Sequence, residues 1–335
     1  MDKPVLIIAE AGNLHNGDFE KAKSFIKEVS EAGADAVKFQ THIFNEESLP
    51  DAPNPDYFQN ESRKSYFERT EFSPDQWHSL KEYAENECSV EFMSSVFSDK
   101  AVDILDSIGV KRYKIPSGEV TNIPLLEKIA GLNKPVLLSS GMSTWAELDG
   151  AVKALKDNGA GDITILQCTS MYPCSPDLAG LYILEKMKAR YRLPVGFSDH
   201  TLGFAASIAA VAMGSIVIEK HFTLSRNIYG SDAKHSLEPD EFKRFVKEIR
   251  DLERMLSNKI DKDKVVGRLG NIKVVFEKSI VARRFIPKGK NIVIEDLAFK
   301  KPGDGVKPVE YKQILGRKAA VDIQPDIQIR KEMIE

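Results

Sequence analysis

The sequence predicts an α/β protein: a (β/α)8 TIM barrel followed by a small β-rich domain. Three observations carry that prediction. Short apolar, β-branched runs alternate with stretches of helical period, the pattern of repeated βα units around a parallel sheet. Eight such units finish near residue 257, close to the roughly 250 residues that a barrel of this kind occupies. The rest of the 335-residue chain changes texture, to strands and turns without long helices.

The first strand is Val5 to Ala9, followed by a helix from about Asp18, a residue suited to an N-cap, to Ala32. Ala36 to Gln40 is the second strand. The stretch Thr41 to Phe72 is rich in Asn, Asp, Pro and aromatics and has no clear period; insertions of that length are often functional. A helix then opens on Ser73-Pro74-Asp75, a cap followed by Pro at the first helical position. Further strands read Val90–Ser94, Arg112–Ile115, Pro135–Ser139, Ile163–Gln167, Pro194–Phe197 and Ile216–Ile218, with helices such as Leu125–Ala130 and Trp145–Leu155 between them. The last barrel helix repeats Phe242, Phe245, Val246, Ile249 and Leu256 at helical steps. The domains are then 1–257, a polar linker 258–277, and a second domain 278–335. In the latter, Ile286, Ile292, Glu295 and Leu297 recur as Ile323, Ile329, Glu332 and Ile334, each displaced by 37.

Composition narrows the function. Lys and Arg number 47 against 50 Asp and Glu, a net charge of -3, without the basic excess of a nucleic-acid binder. Cys88, Cys168 and Cys174 form neither a disulfide framework nor a paired zinc spacing. The apolar run after Asp2 and Lys3 is too short for a signal or membrane segment. A cytoplasmic protein without membrane or nucleic-acid partners is expected.

In a barrel of this kind the C-terminal strand ends build the active site. Chemically capable residues cluster at all of these ends: Glu10; Lys38 and Gln40; Ser95; Lys114, Ser117 and Glu119; Ser139; Thr169 and Ser170; Ser198 and His200; Glu219 and His221. Lys38/Gln40, Ser198/His200 and Glu219/His221 are two apart, so each pair shares one face of its strand. His200 and His221 can hold a divalent metal through neutral imidazoles, with Glu219 and Glu10 orienting them from outside. Lys38 and Lys114 with Ser95, Ser117, Ser139 and Ser198 suit a carboxylate or phosphate. Three readings compete: metal-assisted carbon–carbon bond chemistry on an anion, a Schiff-base aldolase using Lys38 or Lys114, and a non-catalytic sugar- or partner-binding protein.

Seven strings, in order along the chain, resemble those of the sialic acid (nonulosonate) synthases: Ile8-Ala-Glu-Ala-Gly12 with His15-Asn-Gly17, Val37-Lys-Phe-Gln-Thr-His42, Tyr113-Lys-Ile-Pro-Ser-Gly-Glu119, Ser139-Ser-Gly-Met142, Cys168-Thr-Ser-Met-Tyr-Pro173, Phe197-Ser-Asp-His-Thr201 and Ile218-Glu-Lys-His-Phe-Thr223. Phe299-Lys-Lys-Pro-Gly-Asp-Gly305 resembles that family's antifreeze-like (SAF, β-clip) domain. The resemblance implies condensation of phosphoenolpyruvate with an N-acylated hexosamine. It makes His200 and His221 ligands of Mn2+ or Mg2+, with Glu219 and Asp232 acting through the metal's water. It puts Lys38, Lys114, Ser95, Ser117, Ser139, Ser170 and Ser198 on phosphoenolpyruvate, and Glu10, Gln40, Glu119 and Tyr172 on the sugar. It also implies a domain-swapped homodimer whose capping domain offers a basic residue, here Lys301, to the sugar's acyl group.

Five positions depart from the family pattern. Leu14 stands in place of Asn, Ser95-Val96 in place of Thr-Pro, Ser170 in place of an Asn found in some members, and Lys301 in place of Arg, whose planar fork lysine lacks. The strings Lys114–Asn122 and Gly230–Ser236 look closer to N-acetylneuraminate and legionaminate synthases than to pseudaminate synthases. N-acetylmannosamine is therefore ranked first as the sugar, and 2,4-diacetamido-2,4,6-trideoxymannose second.

Overall fold

A computed structural model describes residues 4–54 and 61–335. Asp2, Lys3 and part of the aperiodic Thr41–Phe72 stretch lie outside the described residues. The chain divides into two compact units, one ending at Ser257 and one spanning Asn258–Glu335.

The first unit is a closed barrel of eight parallel strands in sequence order. Its elements run β1 (Leu6–Gly12), α1 (Phe19–Glu31), β2 (Ala36–Thr41), α2 (Phe44–Glu47), α3 (Arg63–Thr70), α4 (Pro74–Glu82), β3 (Glu91–Val96), α5 (Asp99–Ser107), β4 (Tyr113–Ile115), α6 (Ile123–Gly131), β5 (Val136–Ser139), α7 (Trp145–Asp157), β6 (Ile163–Cys168), α8 (Leu181–Tyr191), β7 (Val195–Asp199), α9 (Ala205–Ala212), β8 (Val217–His221) and α10 (Pro239–Ser257). Local signals fix the helix starts. Asp18 accepts from Lys21 N at 3.0 Å to cap α1, and Ser73 forms a reciprocal capping box with Gln76 ahead of Pro74 in α4. The insertion after β2 is not wholly irregular, since it contains α2 and α3.

Alternation divides each strand between two environments. Outward residues such as Ile7, Val37, Phe39, Phe92, Ile165 and Phe197 join the main core beneath the helices. Inward residues near the strand starts, Ile8, Ala36, Met93, Leu137, Leu166 and Val217, form a separate apolar plug inside the barrel. Farther along the same faces the residues turn polar, so the plug is the floor of a polar mouth. Strands β1 and β8 close the ring with Glu10 opposite His221. Several strands extend past the apolar runs that mark them in sequence: β8 continues through Glu219, Lys220 and His221. The parallel ladder holds those polar residues although hydrophobicity has stopped signalling a strand.

In the second unit the presumed linker is helical, with α11 (Lys262–Arg268) and α12 (Gly270–Phe276), before β9 (Ser279–Ala282) pairs antiparallel with β10 (Leu297–Lys300). The sequence echo is a local two-fold. Ile286 and Ile323, related by the repeat, exchange both backbone hydrogen bonds at 2.9 Å. Ile329 N donates to Ile280 O as Ile292 N donates to Arg317 O, again at 2.9 Å in both copies. Ile280, Ile286, Ile292, Leu297, Ile323 and Ile329 form the core of this unit.

Candidate active site

The barrel mouth opens into a cavity of about 960 Å3. At its base four charged side chains, all nearly inaccessible to solvent, alternate in sign. The Lys38 ammonium lies 2.6 Å from Glu10 Oε2 and 3.6 Å from Glu219 Oε2, and it donates to Ser95 Oγ at 2.8 Å. Lys114 donates to Glu219 Oε1 at 3.0 Å, and Ser198 Oγ donates to the same oxygen at 2.9 Å. Burial penalises each of these charges; pairing outweighs it at Lys38 and Glu219, but at Glu10 and Lys114 burial prevails. Burial lowers the pKa of Lys38, but the Glu10 and Glu219 carboxylates outweigh it and leave it raised. Burial likewise raises Glu219, but Lys114 and Lys38 overcome it and hold this carboxyl far below the ordinary range. Glu10 stays raised because burial exceeds the help of Lys38. Each lysine thus carries an acid, and neither Glu10 nor Glu219 hydrogen-bonds an imidazole.

The histidines meet at the ends of β7 and β8. Their ring centroids are 5.3 Å apart, and Tyr172 lies 4.3 Å from His200 and 5.7 Å from His221. His200 is oriented by a carbonyl instead, with Nδ1 2.9 Å from Thr169 O, which leaves Nε2 as the free nitrogen. Burial lowers His221 to about 4, so this imidazole is neutral at pH 7. Its Nδ1 is buried without a hydrogen-bond partner, 3.6 Å from Asp232 Oδ2. Two neighbouring imidazoles, one with an orphaned lone pair, beside an open cavity, suit a divalent ion held by few protein ligands. Among the described residues no group of three or more His, Cys, Asp or Glu gathers as a metal site.

Gln40, Ser95, Ser117, Glu119, Ser139, Ser170, Ser198 and Asp232 line the same cavity, whereas Thr169 and Lys301 do not. Gln40 Nε2 donates to Glu10 Oε1 at 2.7 Å. Burial raises the Glu119 carboxyl. Ser117 Oγ accepts from Gly141 N at 3.0 Å, and Ser139 and Ser170 complete that wall. A Cβ at Gly141 would stand 2.2 Å from Ser170 Oγ and 2.6 Å from Ser117 Oγ, so a side chain there would displace the hydroxyls of this wall. Lys301 belongs to the second unit, its ammonium 4.7 Å over the Phe276 ring.

Sequence reasoning missed other lining residues. His42 and Glu47 reach the cavity from the segment after β2, Arg63 from α3, Cys168 from β6, and Tyr229 from the loop after β8. A signal existed for His42, which extends the Lys38, Gln40 alternation by one step. None existed for Arg63 or Tyr229, which reach the mouth through loop paths.

Comparison with known proteins agrees with this architecture. The NeuB family model matches residues 25–261, and a SAF domain matches residues 277–335. The chain is 39% identical to an N,N'-diacetyllegionaminic acid synthase of Campylobacter jejuni, over 98% of this chain and all of that one. It is 36% identical to a pseudaminic acid synthase of the same organism, over 96% of this chain and 94% of the other. A crystal structure of N-acetylneuraminic acid (sialic acid) synthetase from Leptospira borgpetersenii superposes with a TM-score of 0.69 at 30% identity, covering 81% of this chain and 93% of that one. The barrel with its polar mouth, the domain that follows it and these likenesses along the chain lead to one conclusion: this protein belongs to the NeuB family, the nonulosonate synthases of the sialic-acid type, and carries a SAF domain after its barrel.

Proposed function

We propose that the protein condenses phosphoenolpyruvate with N-acetylmannosamine and water, giving N-acetylneuraminate and phosphate. The observation that carries this reading is one cavity that holds two buried ammonium groups, a row of serines and paired imidazoles. The ammonium groups and serines suit a small, multiply charged anion. Lys38 and Lys114 would share their charge with its phosphate and carboxylate, and Ser95, Ser117, Ser139, Ser170 and Ser198 would donate to its oxygens. Glu10, Gln40, Glu119 and Tyr172 would face the sugar, with Glu119, raised by burial, able to hold a proton beside a hydroxyl.

His200 and His221 would hold a divalent Mn2+ or Mg2+, which when bound supplies Lewis-acid polarisation of the sugar aldehyde. C3 of phosphoenolpyruvate bonds to that aldehyde carbon, water adds its oxygen at C2, and the C2–O bond to phosphate breaks. Glu219, kept ionised by two ammonium groups, is a weak base. Asp232 is therefore the better carboxylate to take the water's proton. A Schiff base on Lys38 is disfavoured, because its neighbours hold it protonated.

The choice of sugar belongs to this proposal. Two relatives from one organism, at 39% and 36% identity, make different acids, so overall identity does not separate the substrates. The test is phosphate release from phosphoenolpyruvate with each sugar, with and without chelator. Turnover is expected with N-acetylmannosamine, lost in chelator and restored by Mn2+. Preference for 2,4-diacetamido-2,4,6-trideoxymannose would move the assignment to a legionaminate synthase. Release with no hexosamine, or indifference to chelator, would sink the reading.

A further inference from the structure

One step beyond Lys38 and Gln40 on β2, His42 carries the same alternation past the strand end. Its ring is clamped between Phe67 and Phe97, with centroids 4.2 and 3.8 Å away and interplanar angles of 28° and 22°. Nδ1 stands 2.7 Å from Glu47 Oε1, and Nε2 stands 3.3 Å from Gln40 Oε1. The Gln40 amide is itself oriented, because its Nε2 donates to Glu10 Oε1 at 2.7 Å while the other Glu10 oxygen faces Lys38 at 2.6 Å.

With the Gln40 amide oriented in this way, the donor count bears on the protonation of the ring. Both atoms that face it, a carboxylate oxygen and an amide oxygen, can only accept. A neutral imidazole offers one N–H, and an imidazolium offers two. We propose that His42 is a positioning residue that works as an imidazolium: with Glu47 as counter-ion, it holds the Gln40 amide turned so that its NH2 points at Glu10. This rests on the reading above, in which Gln40 and Glu10 face the sugar.

Loss of the proton has a defined consequence. Nε2 becomes an acceptor, and the Gln40 amide must turn over to meet it. Its oxygen then faces Glu10, which is tolerable only if Glu10 takes up a proton. The charge on His42 and the donor presented to the sugar side are therefore linked. Among the described residues, the charged groups that share this side of the cavity are Glu47 on α2, Glu119 from the turn after β4, Arg63 from α3, and Glu10 with Lys38 behind Gln40. Of these, Glu47 is the one in direct hydrogen-bond contact, so its charge is the lever to remove.

The experiment uses the full-length protein with 13C-labelled histidine. The His42 resonance is assigned through His42→Gln and titrated alongside the pH profile of kcat/KM for the sugar. His42 is expected to be an imidazolium at the pH of highest turnover, with an alkaline limb that follows its titration. Glu47→Gln should move both the titration and the limb down by about one pH unit, since loss of an adjacent opposite charge favours the neutral ring. The sugar KM should rise while that for phosphoenolpyruvate changes by less than about twofold. A neutral ring at the pH of highest turnover would overturn the proposal, as would a Glu47→Gln titration that moves while the limb stays. If no sugar supports turnover, the function reading fails separately, and the titration of the resting protein still decides whether His42 carries the proton.

Discussion

His15, part of a string shared with the family, is a core residue in this fold. Its ring stacks 4.5 Å from Phe72 and lies 5.8 Å edge-on to Phe39, with no solvent exposure. Nδ1 accepts from Gly17 N at 3.1 Å, while Nε2 is buried without a partner. Burial first, then the charges of Lys21 and Arg69, lower its pKa from 6.5 to about 3. Between those values the unfolded chain binds a proton that the folded chain refuses, so stability falls as pH drops through that window. The share lost between pH 7 and pH 5 is about 2 kcal/mol. Urea unfolding at both pH values should show His15→Leu losing that much less than the wild type; equal losses would count against a neutral buried ring. The paired lysines make the complementary point at this scale. Lys38 and Lys114 were visible as cations at strand ends, but their acids, Glu10 and Glu219, lie 28 and 105 residues away. No local pattern reports such a partnership.

The elements were largely legible because barrel strands and amphipathic helices carry short-range periods. Boundaries failed where the ladder outlasts the apolar run, as in β8, and where polar helices such as α11 carry no apolar stripe to mark them. Gly196 in β7 shows what packing adds. A Cβ there would stand 2.3 Å from Leu166 Cδ2 and 2.8 Å from both Val217 Cβ and the Val217 carbonyl oxygen. The leucine tip can turn aside, but the β8 backbone cannot. Gly196→Ala should therefore cost about 3 kcal/mol of barrel stability, at the upper end of overpacking effects. Denaturant melts would read it, and a loss below about 1 kcal/mol would mean that the barrel yields at this level.

At the scale of the whole molecule, α12 and the residue before it leave Leu269, Ile272, Val275 and Phe276 exposed, the last by 64%. Contiguous apolar surface of this kind usually meets a partner. The homodimer that the family resemblance implies is expected to cover it: sedimentation should find the wild type dimeric and Phe276→Glu shifted toward monomer with its far-UV spectrum intact. A dimer that survives the substitution would place the interface elsewhere. Among the described residues no helix is long and apolar enough to cross a membrane.

By itself the sequence determined the eight βα units, the polar character of the barrel mouth, the pair of histidines and the internal echo of the second unit. All of these follow from spacing along the chain, which a period of two, a period near 3.6 or a repeat of 37 exposes directly. Only the tertiary structure decided which charge faces which. Lys38 meets Glu10 and Lys114 meets Glu219 because closing the sheet sets the registers of β1, β2, β4 and β8 against one another. Likewise the His42 ring is clamped only when α3 and the residues beyond β3 bring Phe67 and Phe97 against it. Closure and loop docking are properties of the assembled ring of strands, and no window of neighbouring residues contains them.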